Sequence, residues 1–165
     1  AVSAAPKKKP PAPDKAAPVP KANDKAVSEV MGPWRWGMTV DEVLEDLGDP
    51  LRLLVDSRTP ERYRGINETL NPVGGHIPGA ANYFFQQNLA ADKTFKDPDD
   101  LRTQWSAVIK GHDPKDVVVY CGSGVTACHN LLALEHAGIQ GVKIYAGSWS
   151  EWSSDPARPR ATTED

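Results

Sequence analysis

The stretch VVVYCGSGVTA, residues 117–127, decides the fold. Its first four residues are β-branched or aromatic, which is typical of a central strand in a parallel sheet buried on both faces. A loop with two glycines follows Cys121, and a helical pattern starts at Thr126. A strand, a glycine loop and a helix in this order predict an α/β fold. Cys121 then lies at the carboxyl end of a strand, where ligands bind in open parallel sheets.

Strand and helix patterns alternate on both sides of this stretch. Thr39 with Glu42 is a capping-box pattern that begins a helix, and residues 51–56 predict a buried strand. The pairs Thr59–Pro60 and Asp97–Pro98 predict two further helix starts. The remaining predicted elements are a short strand at 80–82, a helix at 126–137, a strand at 142–145 and a turn or helix at 147–152. The alternation predicts a mostly parallel sheet flanked by helices.

The two ends of the chain differ from this pattern. Residues 1–30 contain eight Ala, six Pro and six Lys with no aromatic residue, a composition that cannot offset the entropy of ordering. We therefore expect a disordered linker or tail at 1–30, a single catalytic domain at 31–156 and a C-terminal tail at 157–165. The domain length of about 125 residues is ordinary for one globular unit.

Charge and cysteine content exclude several classes of protein. Residues 1–30 carry six Lys against three acidic residues, so the rest of this chain of net charge −3 carries −6, which does not suit nucleic-acid binding. No apolar run approaches the roughly 18 residues that span a bilayer. Cys121 and Cys128 would lie ~10 Å apart along a helix, beyond the ~7 Å Cα limit of a disulfide. Two unpaired thiols indicate either a reducing compartment or a thiol kept free for its function, and we expect a cytoplasmic protein.

The loop after Cys121 predicts a nucleophilic thiolate. A glycine-rich turn directs backbone N–H groups inward as an anion nest, and the helix adds its positive N-terminal dipole. Both favour the thiolate form of Cys121, which is the nucleophile. The alternative is a buried cysteine with glycines that serve only a tight turn. Cysteine phosphatases need an Arg six positions after the Cys, and Ala127 stands there, so a smaller transferred group is expected.

Four segments resemble the rhodanese superfamily. CGSGVT at 121–126 resembles its active-site loop, in the form found in tandem-domain thiosulfate and 3-mercaptopyruvate sulfurtransferases. GHIPGA at 75–80 resembles the N-terminal signature, YAGSWSEW at 145–152 the C-terminal one, and DSR at 56–58 with ERYRG at 61–65 the first strand–helix corner. The resemblance covers residues 39–156 in family order. It implies a rhodanese-like central sheet of about five mostly parallel strands, with the active-site loop between a central strand and a helix.

The resemblance also implies a chemistry. Cys121 takes a sulfane sulfur from thiosulfate or 3-mercaptopyruvate as a persulfide and passes it to cyanide, a small thiol or thioredoxin. Arg62, helped by Arg58, is expected to hold the anionic end of the donor. The loop residues expected to bind the substrate or stabilise the persulfide are Gly122, Ser123, Gly124, Val125 and Thr126. No cofactor is implied, and His129 and His136 on the predicted helix lack a third ligand for a metal.

The sequence leaves the donor, the domain context and the exact role of the chain open. Residues 67–74 contain no basic residue, where animal and enterobacterial mercaptopyruvate enzymes carry another substrate Arg, so the donor remains thiosulfate or 3-mercaptopyruvate. The match is to the C-terminal half of two-domain enzymes, which predicts a fragment or a half that pairs with an N-terminal rhodanese-like half. A persulfide carrier or non-catalytic module is the alternative function. We further expect His76 to be a structural hydrogen-bonding residue and Cys128 to be a core thiol.

Overall fold

A four-stranded parallel sheet forms the centre of the computed structural model, which describes residues 37–162. The strands are β1 (Leu53–Asp56), β2 (Ala81–Asn82), β3 (Val117–Tyr120) and β4 (Lys143–Ile144), in the spatial order β2-β1-β3-β4. The helices are α1 (Val40–Glu45), α2 (Pro60–Tyr63), α3 (Pro98–Ile109), α4 (Val125–His136) and α5 (Ser148–Trp152). Short 3-10 turns cover Phe85–Asn88 and Pro114–Asp116. The predicted α/β fold is confirmed, and the predicted linker at 1–30 lies outside the described residues.

Strand β3 separates two hydrophobic cores. All four of its residues are buried, as its composition predicts for a central strand. Successive side chains of a strand point to opposite faces. Val117 and Val119 therefore join the core that contains Trp105 and Leu134 of α3 and α4. Val118 and Tyr120 join the core formed with α1, α2 and α5. Helices thus cover both faces of the sheet, and the carboxyl end of β3 is left at the edge of both cores.

The sheet has four strands in the described part of the chain, not the predicted number of about five. Beside β4, a single backbone hydrogen bond joins the Met38 amide to the Ile144 carbonyl at 2.9 Å. Gly37 precedes it with φ +70, a left-handed conformation that breaks an extended strand. A Cβ on Gly37 would lie 3.0 Å from the Ile144 oxygen, so the backbone approaches β4 closely without forming a ladder.

Helix boundaries follow the capping signals in the sequence. Thr39 and Glu42 make both bonds of a capping box at the start of α1. Thr59 and Asp97 accept backbone hydrogen bonds as N-caps of α2 and α3, each with Pro at the first helical position. Helix α3 ends at Lys110, which adopts φ +53 just before Gly111. Element types were therefore predicted correctly, with shifts of one or two residues at several ends.

The end of the described chain returns to the domain. Ala161 forms an antiparallel bridge with His76, through backbone hydrogen bonds of 2.8 and 3.0 Å. The Trp152 indole N–H donates to the Pro159 carbonyl at 2.8 Å. Within residues 37–162 the longest helices have twelve residues, and none is long and apolar enough to cross a bilayer.

Candidate active site

Cys121 directly follows β3 and begins the loop that leads into α4. The residue is 2% exposed. Its Sγ accepts a hydrogen bond of 3.1 Å from the amide of Gly124, three residues further along. The loop therefore curls back over the sulfur. The sulfur lies at the carboxyl end of a central parallel strand, where the sequence predicted the nucleophile.

Several loop amides remain available to a ligand. Within the described residues, the amides of Gly122 and Ser123 have no hydrogen-bond acceptor. Helix α4 begins at Val125 without a side-chain cap, so its first N–H groups are also open. These N–H groups and the dipole of a twelve-residue helix create positive potential beside Cys121. The loop can stabilise an anion on or next to the sulfur. Ser123 and Val125 are exposed, whereas Gly124 is buried.

Gly124 holds the turn of this loop. Its φ is +87, and a Cβ on it would lie 2.7 Å from the backbone oxygen of Ala146. A side chain here therefore meets both left-handed backbone strain and a clash with fixed backbone.

We predict that Gly124→Ala destabilises the protein by about 2–4 kcal/mol and sharply lowers the reactivity of Cys121, because the loop must shift. Gly48→Ala is the matched control. Gly48 has φ +84 but open space around its Cβ position, so only the conformational cost of about 1 kcal/mol is expected. Denaturant unfolding and alkylation of Cys121 would measure both effects. Equal losses of stability in the two variants would contradict the close contact at Ala146.

Helix α5 fixes the other side of the loop. Ser148 is fully buried and has φ +54. Its Oγ accepts a hydrogen bond of 3.1 Å from the Cys121 amide. The same hydroxyl donates to the Tyr145 carbonyl at 2.8 Å. The Trp149 amide donates to the Cys121 carbonyl at 3.0 Å, and the Ser150 amide donates to the Gly122 carbonyl at 2.8 Å. Sequence reasoning did not assign Ser148 a role, although it lies in the GSW part of the quoted C-terminal signature.

Arg62 lies against the loop. The guanidinium nitrogens Nη2 and Nη1 are 3.3 and 3.6 Å from the position that a Cβ on Gly122 would take. The adjacent edge, formed by Nε and the same Nη2, donates to the two carboxylate oxygens of Glu68 at 3.0 Å each. The side chain of Arg62 is 20% exposed. The structure thus brings together Cys121, its loop and Arg62, which is the combination that the sequence suggested for donor binding.

Arg58 lies deeper than Arg62. Its side chain is 1% exposed and pairs with Asp56 at 2.6 Å and with Glu68 at 3.3 Å. It also donates to the Gly75 carbonyl at 2.6 Å, and its guanidinium lies 4.9 Å from the ring centre of Trp149. These contacts engage most of its donors. The geometry favours a role in holding Glu68 and the strand–helix corner.

Glu68 was missed at the sequence level, although it connects the two arginines. Its carboxylate also accepts hydrogen bonds from the amides of Leu70 and Asn71, at 2.9 and 3.2 Å. Burial raises the pKa of Glu68, but hydrogen bonds from Arg62 and Leu70 and the charge of Arg62 lower it further, so the pKa lies below its ordinary value. Glu68 is therefore a carboxylate at neutral pH. The loop around it has no periodicity, so no signal in the sequence indicated these contacts.

A buried polar network beneath the site was also missed. Asn130 of α4 donates to Ser57 Oγ at 2.8 Å and accepts from Asn88 at 2.7 Å. Asn88 in turn accepts from the Trp105 indole at 3.0 Å. Asn88, Asn130 and Ser57 are all fully buried. The network connects α4, which carries the active-site loop, to the end of β1 that precedes Arg58.

The prediction that Cys128 is a core thiol was wrong, because its side chain is exposed. The buried side of α4 includes Ala127 and Asn130, and one residue along a helix turns the side chain by about 100°. The pKa of the Cys128 thiol lies above its ordinary value because desolvation and the negative charge of Cys121 both disfavour the thiolate. Both cysteines are free, in line with the expectation that they do not pair.

His76 has the structural role expected for it. It is 1% exposed, its Nδ1 bonds the Tyr63 carbonyl at 2.8 Å, and its ring stacks on that of Tyr63 at 3.6 Å. Of the other histidines, His129 packs between Phe85 and Phe95. In residues 37–162, no group of three or more His, Cys, Asp or Glu side chains could hold a metal ion.

The chain resembles known proteins over most of the described residues. The sequence model of the rhodanese-like domain family matches residues 39–155. A probable 3-mercaptopyruvate sulfurtransferase from Pseudomonas aeruginosa is 51% identical over 116 residues, which cover 70% of this chain and 41% of that protein. The thiosulfate sulfurtransferase of Bos taurus is 41% identical over 117 residues, covering 69% of this chain and 39% of that protein. The chain therefore spans about two fifths of the length of these curated relatives.

Solved structures show the same fold. The 3-mercaptopyruvate sulfurtransferase from Leishmania major superposes with a TM-score of 0.61 at 31% identity, covering 72% of this chain and 32% of that one. The protein EanB, in a structure with ergothioneine covalently linked to a cysteine persulfide, has a TM-score of 0.68 at 26% identity. That match covers 79% of this chain and 32% of EanB.

Proposed function

Since the chain belongs to the rhodanese-like domain family, we propose that it is a sulfurtransferase that carries sulfur as a persulfide on Cys121. The observation that carries the proposal is the arrangement around the sulfur. Cys121 Sγ accepts a hydrogen bond from the Gly124 amide of its own loop, and Arg62 lies against the same loop with Nη1 and Nη2 nearest to Gly122. The named sulfurtransferase relatives and the persulfide in the EanB structure support this chemistry.

In the first step the Cys121 thiolate attacks the sulfur to be transferred, which is the outer sulfur of thiosulfate or the thiol sulfur of 3-mercaptopyruvate. A new S–S bond forms to Cys121, and the bond from that sulfur to the rest of the donor breaks. With thiosulfate the electron pair leaves on sulfite; with 3-mercaptopyruvate it leaves on carbon, which takes a proton to give pyruvate. The product anion Cys121–S–S⁻ would form next to the Gly124 amide, which donates to Sγ, and next to the uncapped N-terminus of α4, whose first N–H groups would stabilise the charge.

In the second step an acceptor nucleophile attacks the outer sulfur of the persulfide. Cyanide would leave as thiocyanate, and a thiol or a thioredoxin would leave as its own persulfide. The S–S bond to Cys121 breaks and returns its electron pair to the Cys121 thiolate. Because donor and acceptor react in turn with one nucleophile, the kinetics should be ping-pong.

Each predicted site residue has a part in this scheme. Gly122, Ser123, Gly124, Val125 and Thr126 supply the anion-binding loop and the first turn of α4. Arg62 binds the anionic group of the donor with the guanidinium edge that faces Gly122. Arg58 supports Arg62 indirectly. It pairs with Asp56 and with Glu68, and the Glu68 carboxylate in turn orients Arg62. A second rhodanese-like half is the proposed protein partner, since the matched relatives are more than twice as long as the matched region.

Steady-state turnover tests the proposal. The protein is incubated with thiosulfate or 3-mercaptopyruvate, and thiocyanate formation from cyanide is followed over a grid of both concentrations. Parallel double-reciprocal lines with either donor support the two-step transfer. Loading of Cys121 without turnover to cyanide or any thiol would favour the persulfide-carrier alternative. No sulfur on Cys121 with either donor, in the presence or absence of a candidate N-terminal half, would refute the proposal.

A further inference from the structure

The positive charges of Arg58 and Arg62 are balanced by two carboxylates of the protein. Asp56 pairs with Arg58 at 2.6 Å, and Glu68 pairs with Arg62 at 3.0 Å and with Arg58 at 3.3 Å. The side chains of Asp56 and Glu68 are 0% and 3% exposed, so solvent screens these charges poorly. The four side chains together carry no net charge. The corner that faces the active-site loop is therefore not a positively charged pocket, even though it contains two arginines.

Glu68 occupies one hydrogen-bonding edge of the Arg62 guanidinium and leaves another edge for a ligand. Nε and one hydrogen of Nη2 are bonded to Glu68. Among the described residues no acceptor bonds the two hydrogens of Nη1 or the second hydrogen of Nη2, and these two nitrogens are the atoms nearest the position of a Cβ on Gly122. One fork therefore remains for a single anionic group of a donor at Cys121. The Glu68 carboxylate occupies the adjacent edge of the same guanidinium, which shares Nη2 with this fork.

We propose that Glu68 determines which donors the site accepts, by favouring those with one negative charge over dianions. The inference rests on the proposed function, because it concerns the donor that reacts with Cys121. The first negative charge of a donor meets the free fork of Arg62. A second charge meets no further side-chain cation among these four residues, and the Glu68 carboxylate repels it. At neutral pH 3-mercaptopyruvate carries one carboxylate charge, whereas thiosulfate carries two charges.

The test compares two donors in the same variant. We measure kcat/KM for thiosulfate and for 3-mercaptopyruvate, with cyanide as acceptor at low ionic strength, in the wild type and in Glu68→Gln. The ratio of the thiosulfate value to the 3-mercaptopyruvate value should rise about tenfold, the effect of one unit charge at ~6 Å in a partly solvated site. Both donors use Arg62, so any loss of its orientation lowers both values and largely cancels in the ratio.

Two further variants complete the design. Glu61→Gln removes the same charge from an exposed position on α2 and should leave the ratio unchanged, because the described residues show no hydrogen bond or ion pair between the Glu61 side chain and either arginine. Asn71→Lys adds a cation beside Glu68 while keeping the carboxylate, because Asn71 Nδ2 lies 3.4 Å from Glu68 Oε1. It should raise the ratio in the same direction as Glu68→Gln, which keeps the test decisive if Glu68→Gln folds poorly.

The outcomes separate the two proposals. Turnover of both donors with an unchanged ratio in Glu68→Gln and Asn71→Lys would overturn the inference while leaving the sulfurtransferase proposal intact. An equal loss of activity for both donors would likewise show that Glu68 has a purely structural role. Failure of both donors to load Cys121 in the wild type would refute the proposed function itself, and this inference with it.

Discussion

Cys121→Ser is expected to abolish sulfur transfer while leaving the fold intact. A serine hydroxyl does not ionise at neutral pH, so it lacks the nucleophilic form that the loop stabilises. The replacement is nearly isosteric, and the serine oxygen can accept the Gly124 amide hydrogen bond that Cys121 Sγ accepts at 3.1 Å. Thiocyanate production should fall to the level without protein, and the circular-dichroism melt should change little.

Cys128→Ser is the matched control for this variant. Cys128 is exposed on α4, and its thiol is mostly protonated at neutral pH because its pKa is raised. Turnover in Cys128→Ser should stay close to that of the wild type. Turnover at the wild-type rate in Cys121→Ser would contradict the assignment of the nucleophile. Complete loss in a well-folded Cys128→Ser would show that the second thiol takes part in the reaction.

Arg62→Ala is expected to lower kcat/KM for anionic donors by about 10- to 150-fold, which corresponds to a charge-assisted contact of roughly 1.5–3 kcal/mol. The physical reason is the loss of the guanidinium edge that faces Gly122. Arg62→Lys should recover only part of the loss, because an ammonium cannot form the paired hydrogen bonds of the fork. The loss should be smaller for the second half-reaction with neutral thiols.

The control for Arg62 is its near neighbour Arg64. Arg64→Ala removes the same charge from an exposed position that follows α2, where the described residues show no ion pair for it. It should change kcat/KM for the donors by less than about twofold, as is usual for an exposed charge. Equal effects of the two substitutions would mean that general charge attraction, and not the contact of Arg62 with the loop, governs donor binding.

Local signals explain why most of the fold could be predicted. Thr39, Thr59 and Asp97 satisfy orphan amides at helix starts through bonds that span two or three residues, so their effect can be inferred from the sequence. The burial of β3 follows from its four β-branched or aromatic residues. The count of strands was less predictable, because the end of pairing at Gly37 depends on how the chain meets β4 in three dimensions.

The sequence pattern did not predict which side of α4 is buried. Val125 and Leu132 are apolar, yet they are 74% and 57% exposed. Polar and apolar residues do not separate onto opposite sides of this helix, so its sequence does not show which side faces the core. Cys128 was predicted to be a core thiol of this helix, but it is exposed. Asn130 shows the opposite, because this polar residue is buried. Its side-chain amide forms hydrogen bonds with Ser57 and Asn88.

Some residues of the candidate site could be predicted from the sequence and others could not. Cys121 and its loop are contiguous in sequence, so strand, turn and helix signals were sufficient to indicate the nucleophile. Arg62 was indicated by the resemblance of the strand–helix corner. Glu68 and Ser148 act through contacts across 6 and 27 positions of the chain, and neither belongs to a periodic segment. Such contacts follow from tertiary packing, which the sequence pattern does not encode locally.

Intact-mass analysis of the protein after exposure to each donor tests the central claim most directly. The protein is mixed separately with thiosulfate and with 3-mercaptopyruvate, freed of excess donor, and analysed before and after addition of cyanide. A gain of about 32 Da, one sulfur, should appear on wild type and Cys128→Ser, be absent from Cys121→Ser, and disappear with cyanide. A gain that persists in Cys121→Ser, or its absence from the wild type with both donors, would contradict a Cys121 persulfide.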